Sequence, residues 1–223
     1  MTWTRREMMI GTSMTLAQAG AAQAAAGAAG APAVSGSPAR AALQRVLGRR
    51  AADFDFVQAA APLPTFEVQA HGGRVTVTAD SPVGQLRGAY AYLQEVAALQ
   101  LNWEGDRVAL PARWPERHIG RSSTPFRHRA YLNPCAYGYT APFWDWSRWE
   151  RELDWMALHG IDMPLALEGQ EFVWRRLWAE FGLSPAELDA YFCGAPFLPW
   201  QRMGNIEGYG RLPVEWIDKK QRL

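Results

Sequence analysis

The sequence predicts an α/β protein in two parts: a small α+β N-terminal domain followed by the first part of a (β/α)8 TIM barrel, incomplete. Three observations lead there. Residues 36–115 carry helical runs around a stretch of period-two apolar alternation. From Arg127 onward, strand-like and helix-like segments alternate, the pattern of a parallel sheet built by right-handed crossovers. Two such units are visible, and the stretch from Arg127 to Leu223 is far shorter than the about 250 residues of a complete barrel. The chain is expected to divide into a leader and Ala-rich linker over 1–35, an auxiliary domain over 36–115, a linker over 116–126 and the start of the barrel over 127–223.

The leader reads as an export signal. Arg5 and Arg6 precede a short, weakly apolar stretch from Met8 to Ala17 and Ala-x-Ala steps such as Ala17-Gln18-Ala19, an order that suits twin-arginine translocation to the periplasm or the medium. Ser37-Pro38 then opens a helix with Leu43, Val46 and Leu47 at helical spacing. "TFEVQAHGGRVTVTA" is expected to be a hairpin, with Phe66 and Val68 alternating before the His71-Gly72-Gly73 turn and Val75, Val77 and Ala79 after it. A second Ser-Pro opens "SPVGQLRGAYAYLQEVAAL", whose Leu86, Ala89, Leu93 and Val96 share one helical stripe. "LQLNWE" and "RVALP" read as a short strand pair. "ARWPERHIGRSSTPF" reads as a linker by its Pro, Ser and Arg content.

In the second part, "RHRAYLN" is expected to be a strand, followed by an aromatic loop and a helix from near Asp145. Trp146, Trp149, Leu153 and Met156 fall on one stripe of that helix, Arg148 and Glu152 attract at i,i+4, Glu150 and Asp154 repel, and Gly160 ends it. "IDMPLAL" reads as a strand covered on both faces, although Pro164 removes a ladder donor and argues for a shorter one. "GQEFVWRRLWAEFG" is the next helix, with Phe172, Trp174 and Leu177 apolar, and "SPAELDAYF" carries a Ser184 to Glu187 capping box. The chain stops inside another amphipathic run, "PVEWIDKKQRL", so a fragment with an open sheet edge and poor solubility is expected.

Composition excludes several classes of partner. The 23 basic residues nearly balance 22 acidic ones, which leaves no electrostatic footprint for nucleic acid. Beyond the leader no apolar run is long enough to span a membrane. Cys135 and Cys193 are too few for a four-ligand zinc site, and His71, His118, His128 and His159 lack metal-ligand spacing, so no metal and no cofactor is expected. The outlier is eleven tryptophans. Indole goes into cores, interfaces or pockets that stack flat ligands, sugar clefts among them.

Four segments carry a resemblance: "NPC" at 133–135, "WDWSRWERELDWMALHGI" at 144–161, "GQEFVW" at 169–174 and "CGAPFLPWQRMGN" at 193–205. In this order and spacing they resemble the alpha-N-acetylglucosaminidases of glycoside hydrolase family 89, a resemblance that runs from about Ala41 to the C-terminus. It implies removal of terminal alpha-linked N-acetylglucosamine with retention of configuration, by an acid/base and a nucleophile glutamate about 5 Å apart. The family's two glutamates map to later barrel strands, so no catalytic residue is assigned in this chain. The loop "AYGYTAPF", the turn "LEGQE", the Ala195-Pro196 order, Cys193 and Pro199 depart from the family pattern, which leaves the fit of the aglycone open.

By the same resemblance Asn133, Cys135 and Trp200 line the sugar pocket. Asn133 and Cys135 follow the first barrel strand, on the face where barrels build their sites; an Asn suits a sugar hydroxyl, a Cys offers a small wall and an indole can cover the apolar side of a pyranose. Without the resemblance these would read as a turn Asn, a buried Cys and a core Trp. Trp146, Trp149, Trp155 and Trp174 are expected to pack helices. Glu168 and Glu171, three apart beside a strand end, are not expected to be the catalytic pair, since the family's glutamates map elsewhere; Gln170-Glu171 is expected to cap the helix or orient pocket residues. The competing reading is a non-catalytic carbohydrate-binding or interaction module.

Overall fold

The computed structural model describes residues 37–165 and 167–223; the twin-arginine stretch and the rest of the 1–35 leader lie outside them. Helix α1 (Pro38–Leu47) starts at Ser37-Pro38 and is followed by a 3-10 turn and strand β1 (Phe54–Gln58). Strands β2 (Thr65–His71) and β3 (Arg74–Ala79) form the expected antiparallel hairpin, in register from Phe66 opposite Ala79 to His71 opposite Arg74. Its two-residue turn needs positive φ twice, which Gly72 at 61° and Gly73 at 84° supply. Helix α2 (Pro82–Ala97) begins where the Ser81 hydroxyl accepts from the Gly84 amide, and β4 (Gln100–Leu101) and β5 (Asp106–Arg107) follow as a minimal pair.

The segment read as a linker is a strand. Residues Arg117–Ser123 form β6, antiparallel to β2 with Val68 opposite Ile119 and Ala70 opposite Arg117, which completes a sheet of order β1-β3-β2-β6. The misreading has a physical cause. An edge strand needs only one apolar inward residue, here Ile119, and apart from the half-buried Ser122 its other residues are exposed. The run into it is pinned by Trp114, which is buried, donates to Asp53 Oδ2 at 2.8 Å and stacks under the Arg50 guanidinium at 4.2 Å. Leu43, Phe54, Val68, Val75, Val77, Leu86, Tyr90 and Leu93 fill the core between this sheet and α1 and α2.

The second part opens with β7 (Ala130–Tyr131), then α3 (Pro134–Thr140), a 3-10 turn, α4 (Trp146–Leu158) and β8 (Met163–Pro164). Strands β7 and β8 are parallel, with Tyr131 opposite Pro164. The strand drawn over "IDMPLAL" shrinks to two residues, and Met163 and Leu165 are exposed instead of covered. Pro164 cannot donate to a ladder, and β7 is the sole partner of β8 among the described residues. Helices α5 (Gln170–Glu180), α6 (Pro185–Tyr191), α7 (Leu198–Arg202) and α8 (Val214–Gln221) follow, α6 with both bonds of the Ser184–Glu187 capping box in place.

Helix α4 buries a different face from the stripe expected of it. Trp149 and Met156 are covered, yet Trp146 is 51% and Leu153 38% exposed, while Glu152 and Asp154 are buried. Partners across the fold make this possible. Arg45 of α1 reaches Asp154 at 2.6 Å and Glu150 at 3.7 Å, turning an expected repulsion into a shared cation, and Glu152 accepts from Arg148 at 2.9 Å and from the Trp103 indole at 3.0 Å. Leu158, at the end of α4, sits in the N-terminal core. No helix among the described residues is long and apolar enough to cross a membrane.

Candidate functional site

The site begins where β7 gives way to α3. Asn133 is the N-cap of α3, its Oδ1 accepting from the amides of Cys135 at 2.8 Å and Ala136 at 3.4 Å. Pro134 occupies the first helical position, where no amide is needed. The cap uses one end of the side chain, so the exposed Asn133 keeps Nδ2 free to donate outward. Cys135 is a half-buried free thiol; Cys193 is buried and also free, its Sγ accepting from the Tyr209 amide at 3.3 Å.

Trp200 approaches the same helix from α7. A Cβ at Gly138 would stand 2.7 Å from the Pro196 carbonyl oxygen, 2.9 Å from Pro199 and 3.0 Å from the Trp200 ring. Glycine there lets the two helices touch. Trp200 meets α3 one turn beyond Cys135, its ring tilted at 6.1 Å against Tyr139, which is largely exposed. The structure thus brings the three expected pocket residues onto one helix pair, Asn133 and Cys135 at the start of α3 and Trp200 beside its end. Tyr139 joins them and escaped the sequence reading; its signal is an aromatic next to Gly138 in the loop after Cys135.

Beneath α3 lies a buried layer of charges. Tyr137 is fully buried between the Arg202 guanidinium, 5.0 Å from its ring, and Trp149, stacked at 6.4 Å. Burial, and then the neighbouring Glu168, push the Tyr137 phenol far above its ordinary value, so it stays neutral. Arg202 pairs with Glu171 at 2.7 Å and donates to the Leu167 carbonyl at 3.0 Å. Burial pushes the Glu171 carboxyl up, and Arg202 pulls it back. Glu168 accepts from the Trp149 indole at 2.7 Å and from Lys220 at 3.1 Å, while Lys220 also donates to the carbonyls of Ala141 and Trp144. Burial lowers Lys220, and Glu168 opposes that.

The expected cap on α5 is absent. Gly169 takes the N-cap position with φ 76° and no side-chain bond, and Glu171 turns inward to hold Arg202, two residues after Trp200. The supporting role expected of Glu171 thus has a concrete form: it anchors the helix that carries Trp200. Each of the two glutamates is tied to its own cation. The expected packing role of the tryptophans splits, with Trp149 buried, Trp155 and Trp174 half-buried and Trp146 exposed. Among the described residues no cluster of His, Cys, Asp or Glu is arranged to hold a metal ion.

Residues 37–116 match the model of the alpha-N-acetylglucosaminidase (NAGLU) N-terminal domain, and residues 129–223 that of the NAGLU tim-barrel domain. Human alpha-N-acetylglucosaminidase is 39% identical over 208 residues, 89% of this chain and 28% of the human one. A family 89 glycoside hydrolase from Clostridium perfringens, solved in complex with PUGNAc, superimposes with a TM-score of 0.76 and 32% identity over 82% of this chain and 21% of its own. The same superposition holds for its doubly Glu-to-Gln substituted form in complex with its substrate GlcNAc-alpha-1,4-galactose. The chain thus spans about a quarter of the length of these relatives. With an N-terminal domain and an unclosed part of a TIM barrel both of this type, it belongs to the alpha-N-acetylglucosaminidases of glycoside hydrolase family 89.

Proposed function

We propose that the chain is the N-terminal part of an exo-acting, retaining hydrolase that removes terminal alpha-linked N-acetylglucosamine from glycans. In this reading it is exported by a twin-arginine-type signal to the periplasm or the medium. Asn133, Cys135 and Trp200 line the sugar pocket, and the acid/base and nucleophile come from outside these residues. The observation that carries the reading is the Clostridium relative, whose substrate ends in an alpha-linked GlcNAc. The geometry supports it. Asn133 Nδ2 is free to donate to a hydroxyl, and Trp200 and Tyr139 offer adjacent aromatic faces; Glu168 and Glu171 are engaged inward by Lys220 and Arg202, whereas a retaining pair would have to face a substrate.

The test is kinetic, on a chromogenic alpha-N-acetylglucosaminide and a protein that includes the whole barrel. Asn133→Asp keeps the cap acceptor and removes the outward donor; Trp200→Ala removes the aromatic wall. Each is expected to lower kcat/KM about tenfold, the equivalent of roughly 1.4 kcal/mol, with the fold intact by circular dichroism. Unchanged kcat/KM in both variants contradicts the pocket assignment. Hydrolysis by the 223-residue chain alone contradicts the placement of the catalytic pair outside it.

A further inference from the structure

A cavity of about 180 Å3 opens where β2 and β6 meet the C-terminal end of α4. Ser122, Ser123 and Thr124 line one side and Arg87, Arg129 and His159 another, and no carboxylate lines it. The two guanidiniums differ. Arg129 is neutralised by Asp162 at 2.6 Å and also donates to the carbonyls of Gly160 and Phe126. Arg87 has no carboxylate partner among the described residues, and its Nη1 is buried without a hydrogen bond. Its stem packs 3.5 Å from where a Cβ on Gly160 would stand, and its head lies 5.7 Å from the centre of the Phe66 ring. Burial pushes the guanidinium below its ordinary value.

No carboxylate among the described residues compensates that charge, and the Phe66 ring does so only in part. Of the carbonyls at the end of α4 and just beyond it, those of Trp155 and Met156 accept from the His159 amide, that of Ala157 from Gly160 and that of Gly160 from Arg129. Asp80 turns to the Thr65 amide at 2.7 Å. His159 adds no charge of its own, since burial and then Arg87 lower its pKa and its Nδ1 is bound to the Trp155 carbonyl at 2.8 Å. A half-buried cation whose Nη1 has no partner is disfavoured relative to one in water, and the space beside it is large enough for several waters at about 30 Å3 each. One hydroxyl proton on the lining is unclaimed: Thr124 Oγ1 only accepts, from the Phe126 amide at 3.3 Å, whereas the exposed Ser123, opposite Thr65 in the ladder, alternates to the face away from Phe66.

We propose that this cavity binds a tetrahedral oxyanion, sulfate or phosphate, free or as an ester on a larger ligand, with Arg87 as the charged donor and Thr124 as a neutral donor. Charge-assisted bonds from a partly desolvated guanidinium are the strongest available to such an ion.

Thermal unfolding of the chain in sodium sulfate and sodium phosphate, against sodium chloride at equal ionic strength, tests this. A saturable rise in Tm at millimolar sulfate or phosphate, absent in chloride, is expected. Arg87→Met keeps the stem packed on Phe66 and Gly160 and should abolish the saturable part; an equal response in that variant, or none in the parent, overturns the proposal. Should Arg87→Met not fold, Thr124→Asp places a carboxylate on the cavity lining and should raise Tm without salt and suppress the sulfate response; an undiminished response overturns the proposal equally. Selenate soaked into crystals should give an anomalous peak beside Arg87, and peaks only elsewhere contradict it. A sulfated monosaccharide that binds more tightly than both its parent sugar and inorganic sulfate assigns the anion to an ester; equal binding of sulfate and ester assigns it to the free ion.

Discussion

Arg202 and Glu171 show how single side chains hold the candidate site. They meet at 2.7 Å with almost no exposure, join α7 to α5, and leave Glu171 Oε2 and Arg202 Nη1 without a hydrogen-bond partner among the described residues. A buried pair of this kind adds little net stability, yet breaking it strands a charge and costs about 3–5 kcal/mol. Arg202→Met is therefore expected to destabilise by that amount in urea unfolding, and Arg202→Met combined with Glu171→Met to recover most of the loss. Additive losses in the double variant would mean that the two side chains act independently. The sequence points to Glu171 as a supporting residue, but the identity of its partner, 31 positions away, depends on how α7 folds back over Leu167. The same holds for Glu168 and Lys220, 52 positions apart. Asn133, Cys135 and Trp200 came to notice by family resemblance alone, since a capping Asn, a lone Cys and a helical Trp carry no chemical signal by themselves.

Elements whose ends are written in local chemistry were legible. Ser81 and Asp145 cap α2 and α4, Ser184 and Glu187 close a box on α6, and Gly72-Gly73 turns the hairpin, because each depends on residues within three positions. Elements made by distant pairing were not. Strand β6 exists because β2 offers it a ladder, and β8 stops at Pro164 because its pairing does. The buried face of α4 eluded periodicity for a related reason: Arg45, 109 positions from Asp154, makes a carboxylate tolerable where only apolar residues were expected. Helix contact also sets the tightest constraint at the site. Gly138→Ala forces a Cβ to 2.7 Å from the Pro196 backbone oxygen, which cannot swing away as a side chain would. Overpacking of this sort costs about 1–3 kcal/mol. Both a lower Tm and a weakened grip on substrate are expected, since α7 must shift and carry Trp200 with it. A Tm unchanged from the parent would show that the α3–α7 contact is looser than described.

At the scale of the whole molecule, the two matched segments are not separate pieces. Leu158 of α4 sits in the core of the N-terminal sheet, Arg45 of α1 reaches across to α4, and the Trp155 indole donates to the Leu101 carbonyl at 2.9 Å. The N-terminal domain thereby braces the first crossover of the barrel, and this crossover carries Asn133 and Cys135. Fold class was readable because a hairpin flanked by helices precedes Arg127 and strand and helix runs alternate after it, and the domain types by the family resemblance, whereas the bracing contacts are long-range and left no trace in the pattern. The central claim is that α3 and α7 present Asn133, Cys135 and Trp200 to an amino sugar while the catalytic carboxylates come from elsewhere. A crystal structure of the protein with its whole barrel, bound to 2-acetamido-1,2-dideoxynojirmycin, tests it most directly. The account predicts the sugar ring against Trp200, a ring hydroxyl within hydrogen-bond distance of Asn133 Nδ2 and Cys135 in contact with the ring. A ligand seated away from all three, or one gripped by Glu168 and Glu171, would contradict it.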